Sequence, residues 1–148
     1  VGVTEPQTTF SPCFGGPFLV WHPNKYAELL AEKIQKHKAQ VWLVNTGWVG
    51  GPYGVGKRIS IRHTRNLLNA ALNGKLNDVE YYRDPIFGFD VPKTCPDVPD
   101  SVLVPWSSWP SREEYDRRYR DLAQRFKENF AKFTDGATQD VTDAGPKV

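Results

Sequence analysis

Apolar residues recur at helical spacing in three parts of this chain of 148 residues. The first part follows the i, i+3, i+4, i+8 spacing of one helix face and consists of Tyr26, Leu29, Leu30 and Ile34. Pro23 suits a first helical position, so we predict that this helix begins there. Its apolar face should pack against a sheet or another helix.

The second helical pattern covers residues 62–73 and stops at Gly74, a residue that favours the left-handed conformation at a helix end. Its apolar positions recur with a spacing of three and four residues. We predict that these side chains point inward: Leu67, Leu68, Ala71 and Leu72.

The third pattern predicts the longest helix, which we assign to residues 111–135. Ser111 and Glu114 have the spacing of a capping box, in which each side chain satisfies a backbone N–H of the first turn. One apolar stripe follows and ends before Gly136; it consists of Tyr115, Tyr119, Leu122, Phe126, Phe130 and Phe133. The remaining residues, 137–148, are mostly polar, and we expect them to be loosely held.

Two short runs have the composition of strands. Residues 40–45 (QVWLVN) are β-branched and apolar, which is typical of a largely buried strand, and residues 79–82 form a second candidate. Residues 84–110 contain six prolines, which exclude a continuous helix or a long central strand. We expect a surface loop with short strand pieces there.

Composition and charge exclude several classes of protein. The formal net charge is +2, and Lys and Arg alternate with Asp and Glu, so neither a nucleic-acid nor a membrane-surface partner is indicated. No apolar run approaches the roughly 20 residues of a membrane span, and we expect a cytoplasmic protein. Cys13 and Cys95 lack neighbours at zinc-ligand spacing and should be reduced thiols. The absence of methionine favours a fragment of a longer protein.

A glycine-rich segment at residues 46–56 lies between the strand at 40–45 and the helix at 62–73. That order can aim backbone N–H groups at a phosphate, and residues 51–57 match Gly, four residues, Gly, Lys. Arg58, however, stands where a phosphate loop needs Ser or Thr to hold magnesium. A glycine-rich turn that packs Trp48 and Tyr53 against the core explains the segment better when it is taken alone.

Basic and aliphatic residues alternate after this segment. Alternation from Arg58 to Arg62 predicts that Ile59 and Ile61 share one face of an extended strand. A guanidinium can stack on a purine, an isoleucine can cover its edge, and a threonine hydroxyl can bond a ring nitrogen or the exocyclic amine. From the residues alone, a solvated charged face before a helix explains this alternation better. No local sequence pairs a histidine with a serine or cysteine nucleophile, so we assign no catalytic residue.

Three segments resemble the C-terminal end of the ATP-dependent phosphoenolpyruvate carboxykinases. They are residues 5–18 (EPQTTFSPCFGGPF), 41–65 (VWLVNTGWVGGPYGVGKRISIRHTR) and 144–148 (AGPKV). The resemblance covers essentially the whole chain, and the central segment is the most specific. It implies that residues 1–148 form the C-terminal part of a mononucleotide-binding domain of the α/β class, with a mixed sheet and flanking helices.

The resemblance also implies a role for three residues. In that family an RISI box and a threonine shortly after it hold the adenine base, which here are Arg58, Ile59 and Thr64 within the segment 57–65. The family converts oxaloacetate and ATP into phosphoenolpyruvate, ADP and carbon dioxide, a step of gluconeogenesis. This lyase reaction depends mainly on positioning and on charge neutralisation by cations.

The remaining family groups are expected outside this chain. The phosphate loop, the Mg²⁺ and Mn²⁺ ligands and the arginines that bind oxaloacetate would belong to the N-terminal remainder of the enzyme, which is therefore the expected partner. We predict that this polypeptide alone has no carboxykinase activity. Two alternatives stay open: an autonomous nucleotide-binding module with a degenerate phosphate loop, and a structural interaction domain.

Overall fold

The computed structural model describes residues 2, 4, 5, 7, 9–11 and 15–148. Cys13 lies outside them, so its expected state is not addressed. The chain divides into two compact units. The first unit comprises Val1–Val41 and Phe126–Gly145, and the second comprises Trp42–Arg125 and Pro146–Val148.

The first unit is built around helix α1, Pro23–His37, which begins at the predicted proline. Nδ1 of His22 accepts a hydrogen bond from the N–H of Asn24 at 3.3 Å and caps the helix, and Lys38 ends it in the left-handed conformation. The side-chain amide of Asn24 donates to the carbonyls of Phe133 and Asp135, at 2.9 and 2.7 Å. These bonds tie α1 to the chain segment that follows residue 130.

The expectation that the apolar face of α1 is packed is wrong for the described part of the chain. No described residue of the first unit is buried, and the side chain of Leu30 is 61% exposed. An amphipathic pattern specifies the helix and the face that needs covering, but burial also requires an apolar partner. Within the described residues of this unit, the face is covered only in part: Tyr26 and Ile34 are half-buried, whereas Leu29 and Leu30 are exposed.

The predicted strand at residues 40–45 is also wrong. These residues have no regular structure, and the side chains of Val41 and Leu43 are 64% and 74% exposed. A strand exists only when a second strand supplies its ladder of hydrogen bonds, and no described strand lies beside this run. Only Trp42 packs against the core of the second unit.

The second unit opens with a hairpin, β1 (Trp48–Val49) and β2 (Lys57–Arg58), in which Trp48 lies opposite Arg58. In its loop, residues 50–56, the carbonyl of Pro52 accepts hydrogen bonds from the N–H groups of Val55 and Gly56. The predicted packing of Trp48 and Tyr53 against the core is wrong. Their rings meet edge to face at 5.6 Å, and both remain about half exposed because they pack on each other and not in the core cluster.

Helix α2, Ile61–Leu72, agrees with the prediction to within one residue at each end, and Gly74 has the expected positive φ of 68°. The hydroxyl of Ser60 accepts from the N–H of His63 at 3.1 Å and caps the helix. The predicted extended strand from Arg58 to Arg62 is therefore wrong, because the serine starts a helix instead of continuing the alternation.

The inward face of α2 is only partly as predicted. Leu67 and Ala71 pack against the core, and Ala70 is buried. Leu68 and Leu72, by contrast, are 41% and 83% exposed. Each residue turns a helix by about 100°, so Leu68 and Leu72 lie about 100° around the helix from Leu67 and Ala71. The face that meets the core is therefore shifted by one position from the predicted one, and both leucines are exposed.

Short elements fill residues 84–110, as their prolines predict: β4 (Asp90–Pro92) pairs with β3 (Tyr81–Arg83), and α3 (Asp100–Leu103) precedes a 3₁₀ turn at Pro105–Ser108. The segment is not merely a surface loop, however. It supplies more than half of the main core cluster, which consists of Ala70, Leu76, Cys95, Val98 and Leu103.

The longest helix, α4 (Arg112–Phe130), is confirmed, with a 3₁₀ turn at Ala131–Phe133 and Gly136 in the left-handed conformation. The hydroxyl of Ser111 accepts from the N–H of Glu114 at 3.2 Å, as the capping box predicts. The expected loose tail is wrong: Gln139–Asp143 form α5, and the N–H of Lys147 donates to the carbonyl of Ile86 at 2.8 Å.

Helices and two small antiparallel sheets give the mixed α and β content expected of the class. Among the described residues, no helix is both long and apolar enough to cross a membrane.

Candidate functional site

The second unit contains an open cleft of about 390 Å³, within the range of about 300 to 1,000 Å³ usual for small-molecule sites. It lies among the β1–β2 hairpin, the start of α2 and the segment around α3. Its lining surface is mostly apolar, and polar side chains contribute a smaller part. The complete lining consists of Val49, Gly50, Val55, Gly56, Lys57, Arg58, Ile59, Ser60, His63, Val102 and Ser108.

Glycines allow the hairpin to form one wall of this cleft. A Cβ on Gly50 would lie 3.0 Å from the carbonyl oxygen of Ser108, on the facing segment. A Cβ on Gly56 would overlap the carbonyl of Gly51 across the loop. Both close approaches exclude a larger residue without a backbone shift, so the glycines position the wall of the cleft as well as turning the chain.

Arg58 and Ile59 are brought together in the cleft by the end of β2. Arg58 is exposed, and Ile59 is half-buried, with its N–H bonded to the carbonyl of Gly47 at 3.0 Å. Neither Lys57 nor Arg58 forms an ion pair with the described residues. A planar cation next to an aliphatic side chain therefore faces the cleft without a fixed acidic partner.

Thr64 does not line the cleft. It is half-buried in the first turn of α2, and its N–H donates to the carbonyl of Ser60 at 3.0 Å. Of the three site residues implied by the resemblance, Arg58 and Ile59 therefore line the same cavity. Thr64 does not line it but follows His63, which does.

His63 lines the cleft in the place expected of Thr64, and sequence reasoning missed it. Its Nδ1 is shielded from solvent and has no hydrogen-bond partner in the described structure. The sequence offered only its closeness to a helix start. The capping of α2 by Ser60 could have indicated it, because that cap fixes which residue of the first turn faces the hairpin.

The segment that matches a phosphate loop by spacing has a different geometry. Lys57 belongs to β2, and α2 begins only at Ile61, so the loop joins two strands and does not lead from a strand into a helix. The N–H groups of Val55 and Gly56 already bond the carbonyl of Pro52. These N–H groups are therefore not free to bind a phosphate, which favours the alternative of a glycine-rich turn.

Metal ligands are not assembled in the part of the chain that the structure describes. No group of three or more His, Cys, Asp or Glu side chains is placed there to hold an ion. The described residues thus do not fit a site for Mg²⁺ or Mn²⁺, and the location of the ligands for these ions stays a prediction.

A second polar centre, away from the cleft, has a structural character. The buried carboxylate of Asp84 accepts from the N–H groups of Ile86 and Phe87, at 3.0 and 2.6 Å, and from the hydroxyl of Tyr119. Burial, followed by the negative charge of Asp84, raises the pKa of Tyr115 to about 12. The same causes, with the hydrogen bond to Asp84, raise the pKa of Tyr119.

Comparison with known proteins gives a consistent result. The family model described as phosphoenolpyruvate carboxykinase matches residues 1–101. The chain is 55% identical over 147 residues to the phosphoenolpyruvate carboxykinase (ATP) of Thermus thermophilus, which covers 99% of this chain and 28% of that protein. The protein of the same name from Brevibacillus brevis is also 55% identical with the same coverage. That from Dictyostelium discoideum is 49% identical over 146 residues, 26% of its length.

The chain thus spans about 28% of the length of the relatives from Thermus thermophilus and Brevibacillus brevis.

Proposed function

This chain belongs to the ATP-dependent phosphoenolpyruvate carboxykinase family, and we propose that it supplies the adenine-binding wall of that enzyme. The complete enzyme would convert oxaloacetate and ATP into phosphoenolpyruvate, ADP and carbon dioxide. In this proposal residues 1–148 are the C-terminal part of its mononucleotide-binding domain, and residues 57–65 hold the base.

One observation carries the proposal. A mostly apolar cleft of about 390 Å³ has Arg58 and Ile59 side by side in its lining, with Val102 on the facing segment. A purine is flat and apolar on both faces, so it gains from a guanidinium stacked on one face and from aliphatic contact around its edge. The apolar contact from Ile59 and Val102 favours a base over a phosphate in this part of the cleft, and the N–H groups of Val55 and Gly56 are already bonded within the loop.

Thr64 has a smaller part in this proposal. Its hydroxyl is one helical position from His63, and a polar contact to the base requires that the base extend past the described cleft. We therefore expect the largest share of base affinity to come from Arg58 and Ile59. ATP would reach from the cleft toward groups supplied by the rest of the enzyme, which is the proposed partner of this chain.

Mg²⁺ and Mn²⁺ enter the proposal only as ions of the complete enzyme, where they would neutralise phosphate charge. The described residues assemble no ligand set for them. The role of this chain is then limited to binding and orienting the base, and we propose that the isolated polypeptide is inactive.

The test is to replace Arg58 in the complete enzyme and to measure the two substrates separately. For Arg58→Ala we expect ATP binding to weaken by about 1–3 kcal/mol and oxaloacetate binding to remain within experimental error, because the side chain would touch only the base. Arg62→Ala is the matched control: it removes the same charge from an exposed position that does not line the cleft. Equal losses for both substrates, or for both variants, would contradict the proposal.

Nucleotide-binding measurements also test the two alternatives, a phosphate-loop module and a structural interaction domain. A phosphate-loop module requires that Lys57→Ala abolish magnesium-dependent ATP binding by the isolated chain. A structural interaction domain requires that Arg58→Ala and Thr64→Ala leave nucleotide affinity of the complete enzyme unchanged.

A further inference from the structure

His63 is held at the cleft by the geometry of the helix start. Its N–H donates to the hydroxyl of Ser60 at 3.1 Å, which makes it the third residue of α2. Its side chain lines the same cavity as Arg58 and Ile59. The backbone of His63 is therefore fixed, and its side chain lines the cleft in which the base would bind.

The imidazole of His63 carries an unsatisfied polar atom. Nδ1 is shielded from solvent, and no described donor or acceptor bonds it. It is the only buried side-chain nitrogen or oxygen in the described part of the chain with this property. An unpaired buried polar atom costs free energy and is uncommon, so a side chain that lines a cavity and carries one is a candidate for a partner that arrives with a ligand.

We propose that His63 recognises the substituent at C6 of the purine and favours adenine over 6-oxopurines. This inference rests on the proposed function, since it needs a purine in the cleft. The proposal assigns the imidazole proton to Nε2, so that Nδ1 can accept a hydrogen bond from the 6-amino group of adenine. A 6-oxo group presents a second acceptor at the same place, so the two lone pairs repel.

The recognition requires one movement. Because Nδ1 is shielded from solvent, the imidazole has to rotate about its side-chain bonds to present this atom to the base. Such a rotation leaves the bond between the His63 N–H and Ser60 intact, since that bond involves only the backbone of His63. The competing explanation is that another part of the longer protein bonds Nδ1, in which case purine selectivity would not depend on His63.

The experiment compares ATP with inosine triphosphate, which differs in carrying a 6-oxo group in place of the 6-amino group. Dissociation constants for both nucleotides are measured on the complete enzyme with His63→Leu, His63→Asn and His63→Gln. The amide of asparagine reproduces the position of Nδ1, whereas that of glutamine reproduces Nε2. His37→Leu, at the exposed end of α1, is the matched control.

We expect His63→Leu to reduce the ratio of ATP to inosine triphosphate affinity by about tenfold, the effect of one hydrogen bond. We expect His63→Asn to keep ATP affinity within about twofold of the parent, because its amide oxygen can accept from the 6-amino group, and this variant also covers the case in which the leucine variant fails to fold. Rescue by His63→Gln alone, or an unchanged ratio in His63→Leu, would overturn the inference.

Arg58→Ala in the same assay distinguishes the two failures. If it weakens both nucleotides while His63→Leu leaves their ratio unchanged, only the role of His63 is wrong. If Arg58→Ala affects neither nucleotide, the base does not bind in this cleft, and the proposed function fails together with the inference.

Discussion

The two units of this chain differ in what they bury. Every buried side chain among the described residues lies in the second unit, which also contains the cleft. The first unit has a well-capped helix and none of its described residues is buried. Local signals such as capping and periodicity are therefore enough to specify a helix, but a core needs apolar surfaces that face each other.

The second unit meets that need by packing α2 and Leu76 against residues 95–103, which form the core cluster. The hairpin, the start of α2 and the segment around α3 supply the walls of the cleft. Its stability should thus depend on individual buried residues, whereas that of the first unit should not. Two pairs of matched variants test this difference, and a pH series then tests the buried polar centre of the second unit, from the largest expected effect to the smallest.

Truncating one leucine in each unit gives the largest contrast. Leu103 is 8% exposed in the core cluster, and Leu30 is 61% exposed on α1. We expect Leu103→Ala to lower the free energy of unfolding by about 2–5 kcal/mol, because it removes buried methyl groups and leaves a cavity. Leu30→Ala should change it by less than about 0.5 kcal/mol. Urea denaturation of both variants measures the difference, and equal losses would break the comparison.

Polar anchors should differ in the same direction. Asp84→Ala leaves buried N–H groups of the second unit without an acceptor, so we expect a loss of about 1–3 kcal/mol. Asn24→Ala removes two hydrogen bonds of the first unit, but water can replace the amide at this more exposed site, and we expect a loss of under about 1 kcal/mol. Thermal unfolding of the two variants measures both losses. A larger loss for Asn24→Ala than for Asp84→Ala would contradict the prediction.

The smallest expected effect is on stability against urea at alkaline pH. The pKa of Tyr115 is raised to about 12 by burial and by Asp84, from an ordinary value of 10.0 in the unfolded chain. The folded state therefore holds a proton that the unfolded state has lost, so stability is unaffected below pH 10 and falls as the pH rises toward 12. Tyr115→Phe should flatten part of this decline in urea midpoints measured from pH 8 to 12. A decline as steep as that of the parent chain would contradict the assignment.

Sequence reasoning predicted the three long helices well, missed the short helices α3 and α5, and predicted burial poorly. The starts of α1, α2 and α4 follow from Pro23, Ser60 and Ser111, whose effects are local, although the role of Ser60 as a cap was itself missed. Burial could not be predicted in the same way: Leu68 and Leu72 fit a helix face, yet α2 turns a neighbouring face to the core. That choice depends on contacts with residues 95–103, which are distant in sequence.

The candidate site shows the same division. The resemblance pointed to Arg58 and Ile59, and these two residues lie together in the cleft, but it gave no indication of His63. The unpaired nitrogen of that residue becomes visible only when the surrounding atoms are known. The strand expected at residues 40–45 failed for a related reason, since pairing depends on a partner that the run itself does not encode.

The position of the base in the complete enzyme is the most direct test of the account. A structure with ATP bound should place the adenine ring within about 4 Å of both the Arg58 guanidinium and the Ile59 side chain, with the phosphates directed out of the cleft. A base that binds away from every residue lining the cleft would contradict the central claim that this wall recognises adenine.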